Sequence, residues 1–318
     1  MVPGTPLPVA PAAVLPGASA ASPAVASATS PPVAPAVTRP DAPAAALVRD
    51  YERLRELCPV LRLHLLDPAE PDPSAADGWY SGARLATDEG ALAAVLAGQE
   101  ARIAAEHGCA PRPHVTASRL LHHYAWTACL LIAGPWQLAR RVPAVDPADL
   151  WLHAPTGELA LRPRGHATHP GDDELRAELR AAVVAHLEPV LAAFAGPTRR
   201  RDRALWGMVT DDLASAVWYL GRMLDAAGDA AEAGDVPDSG AGGTAGEDAA
   251  VAAAAALLPG GTQPLAGAAD FRRLRTPDGR EHHTRTRLGC CLYYAVKPAA
   301  VACLTCPRTG DEERLRRF

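Results

Sequence analysis

The chain is 318 residues long, enough for one large domain or two ordinary ones, and carries a formal net charge of −5. That acidic balance gives no electrostatic case for a nucleic-acid partner. Aromatic residues make up 5 % of the chain, which is crowded instead with Ala, Leu, Arg and Pro.

Residues 1–43 are rich in Pro, Ala, Ser and Val, with no charge before Arg39. Such text cannot bury a packed face, so a disordered extension is expected. Prolines break it before an apolar run forms and no basic stretch leads it, so no secretory leader is expected. The longest apolar run, Leu120–Ala133, carries His122 and His123 and ends at Gly134-Pro135. A membrane span needs about 20 apolar residues, so this run is expected to be a buried core helix. These readings point to a soluble, cytoplasmic chain with no integral membrane segment. In a reducing cytosol its cysteines are ligands or core thiols rather than disulfides.

The helical patterns come in order. Ala44–Leu57 reads as a short helix stopped by Pro59. Thr87 or Asp88 can cap a helix over Ala91–His107. A third covers Thr116–Ala133. Leu150–His153 and Glu158–Arg162 flank an A-P-T-G turn and read as a hairpin. Leu175, Leu179, Val183 and Leu187 recur every four residues until Pro189, which is expected to kink or end the run. Trp206, Val209, Leu213, Val217 and Leu220 trace a further helical stripe, preceded by Arg199, Arg200, Arg201 and Arg203. That arginine run reads as a solvated face. From Asp225 to Asp248 almost nothing is apolar beyond alanine, and a flexible insertion is expected. Within it Gly240–Gly246 imitates a dinucleotide-binding loop, but no strand precedes it and no amphipathic helix opens on it.

The chemistry is concentrated at the C-terminus. Of seven cysteines, four lie there: Cys290 and Cys291 adjacent, then Cys303 and Cys306 as a C-x-x-C pair followed by Pro307. Four clustered thiols in a cysteine-poor chain point to a metal or iron–sulfur site. The two sulfurs of a C-x-x-C turn can reach one metal while backbone N–H groups point at sulfur. Adjacent cysteines have Cα atoms about 3.8 Å apart and converge only where the backbone turns, a freedom Gly289 supplies. The rival is a structural zinc site, which also takes four thiolates but commonly as two spaced knuckles. A four-iron cluster is equally compatible with the cysteine count. Cys58, Cys109 and Cys129 are scattered and read as core or incidental thiols. His282 and His283 read as a surface pair in a basic loop with Arg272, Arg273, Arg275, Arg280, Arg285 and Arg287. Those arginines are either solvated charge or cations that would raise a cluster's potential. Tyr293 and Tyr294 read as strand or core residues, and His122, His123 and Trp126 as core packing before pocket lining.

Arg287, Cys290, Cys291, Leu292, Tyr294, Cys303, Cys306 and Pro307 resemble the C-terminal signature of the FhuF-type ferric-siderophore reductases. Leu205–Ala216 and His114–Tyr124 are similar to helices of the same family. The resemblance implies a [2Fe–2S] cluster on Cys290, Cys291, Cys303 and Cys306, passing one electron to a ferric siderophore, hydroxamates included, to release Fe²⁺. With no flavin or nicotinamide motif in the chain, the electron donor is expected to be external, such as a ferredoxin or a reductase. The alternative is a non-catalytic iron–sulfur or zinc protein: an electron carrier, an iron or redox sensor, or a partner of siderophore assembly enzymes. The expected fold is α+β and predominantly helical, a single domain over residues 44–285 with a small β component. A cluster-binding segment, 286–318, packs against it, being too short to stand without its metal.

Overall fold

The computed structural model describes residues 44–232, 245–297 and 301–318; the expected disordered extension, 1–43, lies outside them. The architecture is α+β and predominantly helical. Helix α1 (Ala44–Leu57) buries Leu47, Tyr51, Leu54 and Leu57 on one face, as its spacing requires. A short α2 (Gly82–Thr87) leads into α3 (Glu89–His107), where the Asp88 side chain accepts from the Ala91 N–H and Gly108, at φ 71°, closes the C-terminus.

At the centre lies α4 (Pro113–Ala139), buried almost all round from Leu120 to Pro135. The sequence predicts that it stops at Gly134-Pro135, yet it runs on to Ala139. Proline removes only one backbone donor, while Gly134 lets Leu54 of α1 come so close that a Cβ would sit 2.7 Å from its methyl carbon. The close packing of α1 outweighs the lost hydrogen bond. The same correction applies to α5 (Asp172–Thr198), which passes through Pro189 and buries Val190, Leu191 and Phe194 beyond it. Among the described helices α5 is long and apolar enough to cross a membrane by length and composition, with 39 % of its apolar window buried in the fold.

The arginine run leads into α6 (Asp202–Glu232), whose predicted stripe from Trp206 to Leu220 is buried. α6 extends well into the segment expected as an insertion, and α7 (Ala245–Leu257) begins before its end; residues 233–244 lie outside the described ones. Asp225 caps α7, accepting from the Gly246 and Glu247 N–H groups at 2.7 Å each.

A four-stranded sheet of β1 (Leu63–Leu65), β2 (Trp79–Ser81), β4 (Leu150–His153) and β5 (Leu159–Leu161) has the order β1-β5-β4-β2. The predicted hairpin is its β4–β5 pair, with Leu152 opposite Leu159, and β1 joins β5 in parallel. Two two-residue strands, β3 (Val142–Pro143) and β6 (His166–Ala167), pair beside it.

Candidate metal centre

After α7 the chain forms a hairpin, β7 (Phe271–Arg275) and β8 (Glu281–Arg285), with Phe271 opposite Arg285 and Arg275 opposite Glu281. This corrects the reading of a basic loop. The turn signal was present: Thr276-Pro277-Asp278-Gly279, with Gly279 at φ 88°. The strand β8 aims the following residues at α6.

What it meets there is a buried ion network. Arg285 is fully buried, donating to an Asp211 carboxylate oxygen at 2.7 Å, to the Asp211 carbonyl at 3.0 Å and to the Ala269 carbonyl at 2.9 Å. Two residues on, Arg287 donates to Asp212 at 2.6 Å. Asp211 also accepts from the Leu288 N–H at 3.0 Å and the Gly289 N–H at 2.9 Å, so one carboxylate holds the backbone just before the first cysteine. Burial pushes the Asp211 carboxyl up, opposed by Arg285 and Arg287. Burial also acts against the Asp212 charge, but His122 of α4, 2.8 Å away, and Arg287 outweigh it and hold that carboxyl below its usual range. Arg287 in turn remains cationic in a dry setting because Asp212, Asp211 and Cys291 surround it. Sequence reasoning left Arg285 and Arg287 between solvated charge and cluster neighbours; the structure buries both and makes Arg287 a neighbour of Cys291.

The cysteine loops are tied down on every side. The Arg287 N–H donates to the Thr305 carbonyl at 2.9 Å, joining the two cysteine-bearing stretches. Arg200, from the run read as solvated, donates to the Cys290 carbonyl. Arg314, on the short α8 (Asp311–Leu315), is buried and donates to the Leu304 carbonyl at 2.6 Å and the Cys306 carbonyl at 3.0 Å. Arg272 of β7 anchors that helix through Asp311 at 2.5 Å. Behind Cys291, Leu292 takes a left-handed conformation at φ 60°, and Leu292, Ala295 and Val296 pack against Ile103 of α3 and Val115 of α4. Sequence reading missed Asp211, Asp212 and Arg314. A buried carboxylate pair inside a helical stripe, D-D at 211–212, was the signal for the first two; no signal marked Arg314.

The four thiols come together as two pairs, each drawing one member from either stretch. The Cys290 and Cys306 sulfurs lie 3.9 Å apart. Cys303 and Cys291 are neighbours as well: the nearby Cys303 thiol, with help from His122, Arg119 and Arg287, brings the Cys291 thiol down to about 4, and Cys303 is itself pushed up. Burial pushes Cys290 up, and the Leu292 N–H donates to its sulfur at 3.4 Å. Each cysteine of the C-x-x-C pair thus has a neighbour in the adjacent-cysteine stretch. With metal–thiolate bonds of about 2.3 Å, two sulfurs on one tetrahedral metal stand about 3.8 Å apart, which matches the Cys290–Cys306 separation. A structural zinc needs all four sulfurs around one point, whereas two irons bridged by sulfide need two and two. The donor set fits a two-iron cluster, and the surrounding Arg119, Arg200, Arg287 and His122 fit its negative charge.

The other candidate residues fall elsewhere. Cys58 and Cys129 are buried core thiols, and burial pushes both up. Cys109 is half-buried, 3.8 Å from the Val296 carbonyl. His282 stacks on Phe318 and His283 bonds Asp248, both from a strand rather than a loop. Tyr293 and Tyr294 are neither strand nor core: they form a 3-10 turn beneath the Arg119 and Arg308 guanidiniums. His122 and Trp126 are half-buried and line a cavity, Trp126 also packing against the core, while the His123 Nε2 donates to the Gly157 carbonyl at 2.9 Å.

With this geometry established, comparison with known families adds one finding. Residues 287–308 match the model described as the FhuF 2Fe-2S C-terminal domain. All four cysteines and the signature residues from Arg287 to Pro307 lie inside the matched span, so the C-terminal segment is a [2Fe–2S]-binding domain of FhuF type. No curated protein matches the chain.

Proposed function

We propose that the protein reduces a ferric siderophore by one electron in the cytoplasm and so releases Fe²⁺, with Cys290 and Cys306 on one iron of the cluster and Cys291 and Cys303 on the other. The observation that carries this reading is the two-and-two pairing of the thiols inside a cationic shell. When bound, a [2Fe–2S] cluster supplies a one-electron couple. The tasks of the protein's own residues follow from their positions. Arg119, Arg200, Arg287 and His122 offset negative charge, which favours the more reduced state and raises the potential. Asp211 and Arg314 hold the two cysteine stretches at fixed separation, which limits reorganisation between oxidation states. The half-buried Cys290 and Cys303 leave the centre reachable from solvent, where a chelate and a donor can approach.

The electron balance is simple. An external donor, a ferredoxin or a reductase, loses one electron, and the chelated Fe³⁺ gains it. Siderophores grip Fe³⁺ through hard, often anionic oxygens; the lower charge of Fe²⁺ weakens that grip, and the metal becomes labile. For a one-electron couple each 59 mV of driving force shifts the equilibrium tenfold. The test is anaerobic. Protein reduced with dithionite and freed of excess reductant is mixed with a ferric siderophore in the presence of a ferrous chelator. Reoxidation of the cluster with stoichiometric trapping of Fe²⁺ is the expected result. A reduced cluster that stays reduced across several siderophore classes refutes the proposal and favours a carrier or sensor.

A further inference from the structure

Beside the cysteine loops lies an open cavity of about 260 Å³. Its walls are aromatic and cationic: Trp126 of α4; Trp218, Tyr219 and Arg222 of α6; and Arg287 and Thr305 of the cysteine segment. Thr305 stands between Cys303 and Cys306 in the chain, so one wall of the cavity belongs to the cysteine segment itself. Trp126 and Tyr219 meet edge to face at 5.5 Å, leaving ring surface turned to the opening. Arg222 is the exposed member and lies 5.8 Å over the Trp218 ring. Arg287 is 6 % exposed and is committed to the buried carboxylates, donating to Asp212 at 2.6 Å with its Nε 3.7 Å from Asp211, so Arg222 is the guanidinium open to a ligand. Of the carboxylates nearby, Glu247 accepts the Trp218 indole N–H at 2.6 Å and lies 4.0 Å from the Arg222 guanidinium, and Asp212 backs Arg287. Among the described residues no carboxylate lines the cavity.

We infer that this cavity is the subsite for one aryl-oxygen arm, catecholate or phenolate, of the ferric chelate that the centre reduces; the inference rests on the reductase reading above. Aromatic walls take a planar ring edge-to-face or offset, and guanidiniums both stack on rings and hydrogen-bond anionic oxygens. An alkyl hydroxamate arm in a neutral ferric complex offers no ring to stack and only the weaker hydrogen bonds of a complex without net charge. The volume lies below the ~300 Å³ at which pockets begin to enclose drug-sized ligands, so it holds one arm while the rest of the chelate lies across the open mouth. That pose keeps the iron at the rim next to Thr305.

The experiment separates binding from reduction by using Ga³⁺, which has the charge and coordination of Fe³⁺ but accepts no electron. Cluster-loaded protein is titrated with the Ga³⁺ complex of a tris-catechol chelator and with a Ga³⁺ trihydroxamate, following tryptophan fluorescence. The expected result is saturable quenching by the catechol complex at a Kd at least about tenfold below that of the trihydroxamate. Arg222→Ala, at an exposed position that does not endanger folding, and Tyr219→Ala are each expected to weaken the catechol complex several-fold, with the visible cluster spectrum unaltered. Equal affinity for both complexes, or wild-type affinity in both variants, overturns the subsite. The two readings fail separately. Tight, variant-sensitive Ga³⁺–catechol binding without reduction of the Fe³⁺ complex upholds the subsite and sinks the reductase. Reduction of the Fe³⁺–catechol complex at a rate that neither variant changes upholds the reductase and sinks the subsite.

Discussion

Replacing Asp211 by Ala is the sharpest test of how the cysteine segment is held. In the native protein this carboxylate receives the Arg285 guanidinium at 2.7 Å and the Leu288 and Gly289 N–H groups at 3.0 and 2.9 Å, and both Asp211 and Arg285 are fully buried. Removing it strands a buried cation and frees the backbone immediately before Cys290. Breaking one side of a buried pair costs about 3–5 kcal/mol, and two orphaned N–H groups press the value to the upper end unless water reaches them. That is a loss on the order of 10²–10⁴-fold in the folded-to-unfolded ratio. For a fold of this size it lowers Tm by on the order of 10 °C. The assay follows cluster absorbance and far-ultraviolet circular dichroism in one thermal melt. The variant is expected to bleach at a lower temperature than its helices melt, because the cysteine segment loses its anchor before α4, α5 and α6 lose theirs. A variant that keeps its colour and melts within about 2 °C of wild type refutes the claim that this ion network docks the segment.

Four further outcomes are expected. Cys→Ser at 290, 291, 303 or 306 abolishes or destabilises the cluster, while Cys58→Ser, Cys109→Ser and Cys129→Ser keep its absorbance; bleaching by Cys129→Ser but not by Cys291→Ser overturns the ligand set. On the proposed sharing of one iron by each pair, and with serine ligating in place of sulfur, Cys290→Ser and Cys306→Ser alter the electron paramagnetic resonance of the reduced protein in the same way, and Cys291→Ser and Cys303→Ser in another. Arg314→Ala loses the bonds to the Leu304 and Cys306 carbonyls. Hydrogen bonds from a charged donor contribute about 1.5–3 kcal/mol, so iron loss to a chelator quickens by about 10- to 100-fold, measured as the decay of visible absorbance. Burial holds the His186 imidazole down to about 4, against the opposing Val145 carbonyl bond at 2.8 Å, whereas the unfolded chain takes up that proton near 6.5. Below pH 6.5 the unfolded state therefore binds more protons, and stability is full above that pH and declines toward pH 4 by about 1.4 kcal/mol per unit. His123, also pushed down to about 4 by burial, adds to the slope, so denaturant titrations of His186→Gln show a shallower decline than wild type.

The helices were legible where periodicity and caps agreed. Leu47, Tyr51, Leu54 and Leu57 mark a face that α1 buries, and Asp88 and Gly108 bracket α3 as helix chemistry demands. The prolines were misread because their penalty is local while the compensation is not. Pro135 sits in a helix whose neighbour, Gly134, packs on α1, and Pro189 precedes Val190, Leu191 and Phe194, which the core buries. The β7–β8 hairpin announced itself only in its Pro-Asp-Gly turn, since its strands are mostly Arg and His and show no apolar alternation.

At the centre, the residue types alone determined the chemistry: four thiols, two adjacent and two spaced by a turn, select a thiolate-bound metal whatever the surroundings. Which thiol faces which was decided by the path of the chain, because Arg287 pairs with Thr305 and lays the two stretches side by side. The fate of the arginines was decided in the same way. A guanidinium reads as solvated until a buried carboxylate is placed against it, and Asp211 and Asp212 come from a helix more than seventy residues earlier in the chain. Periodicity reports what a residue does within its own element; the partner of a buried charge, and the geometry of a shared metal, exist only once distant elements meet.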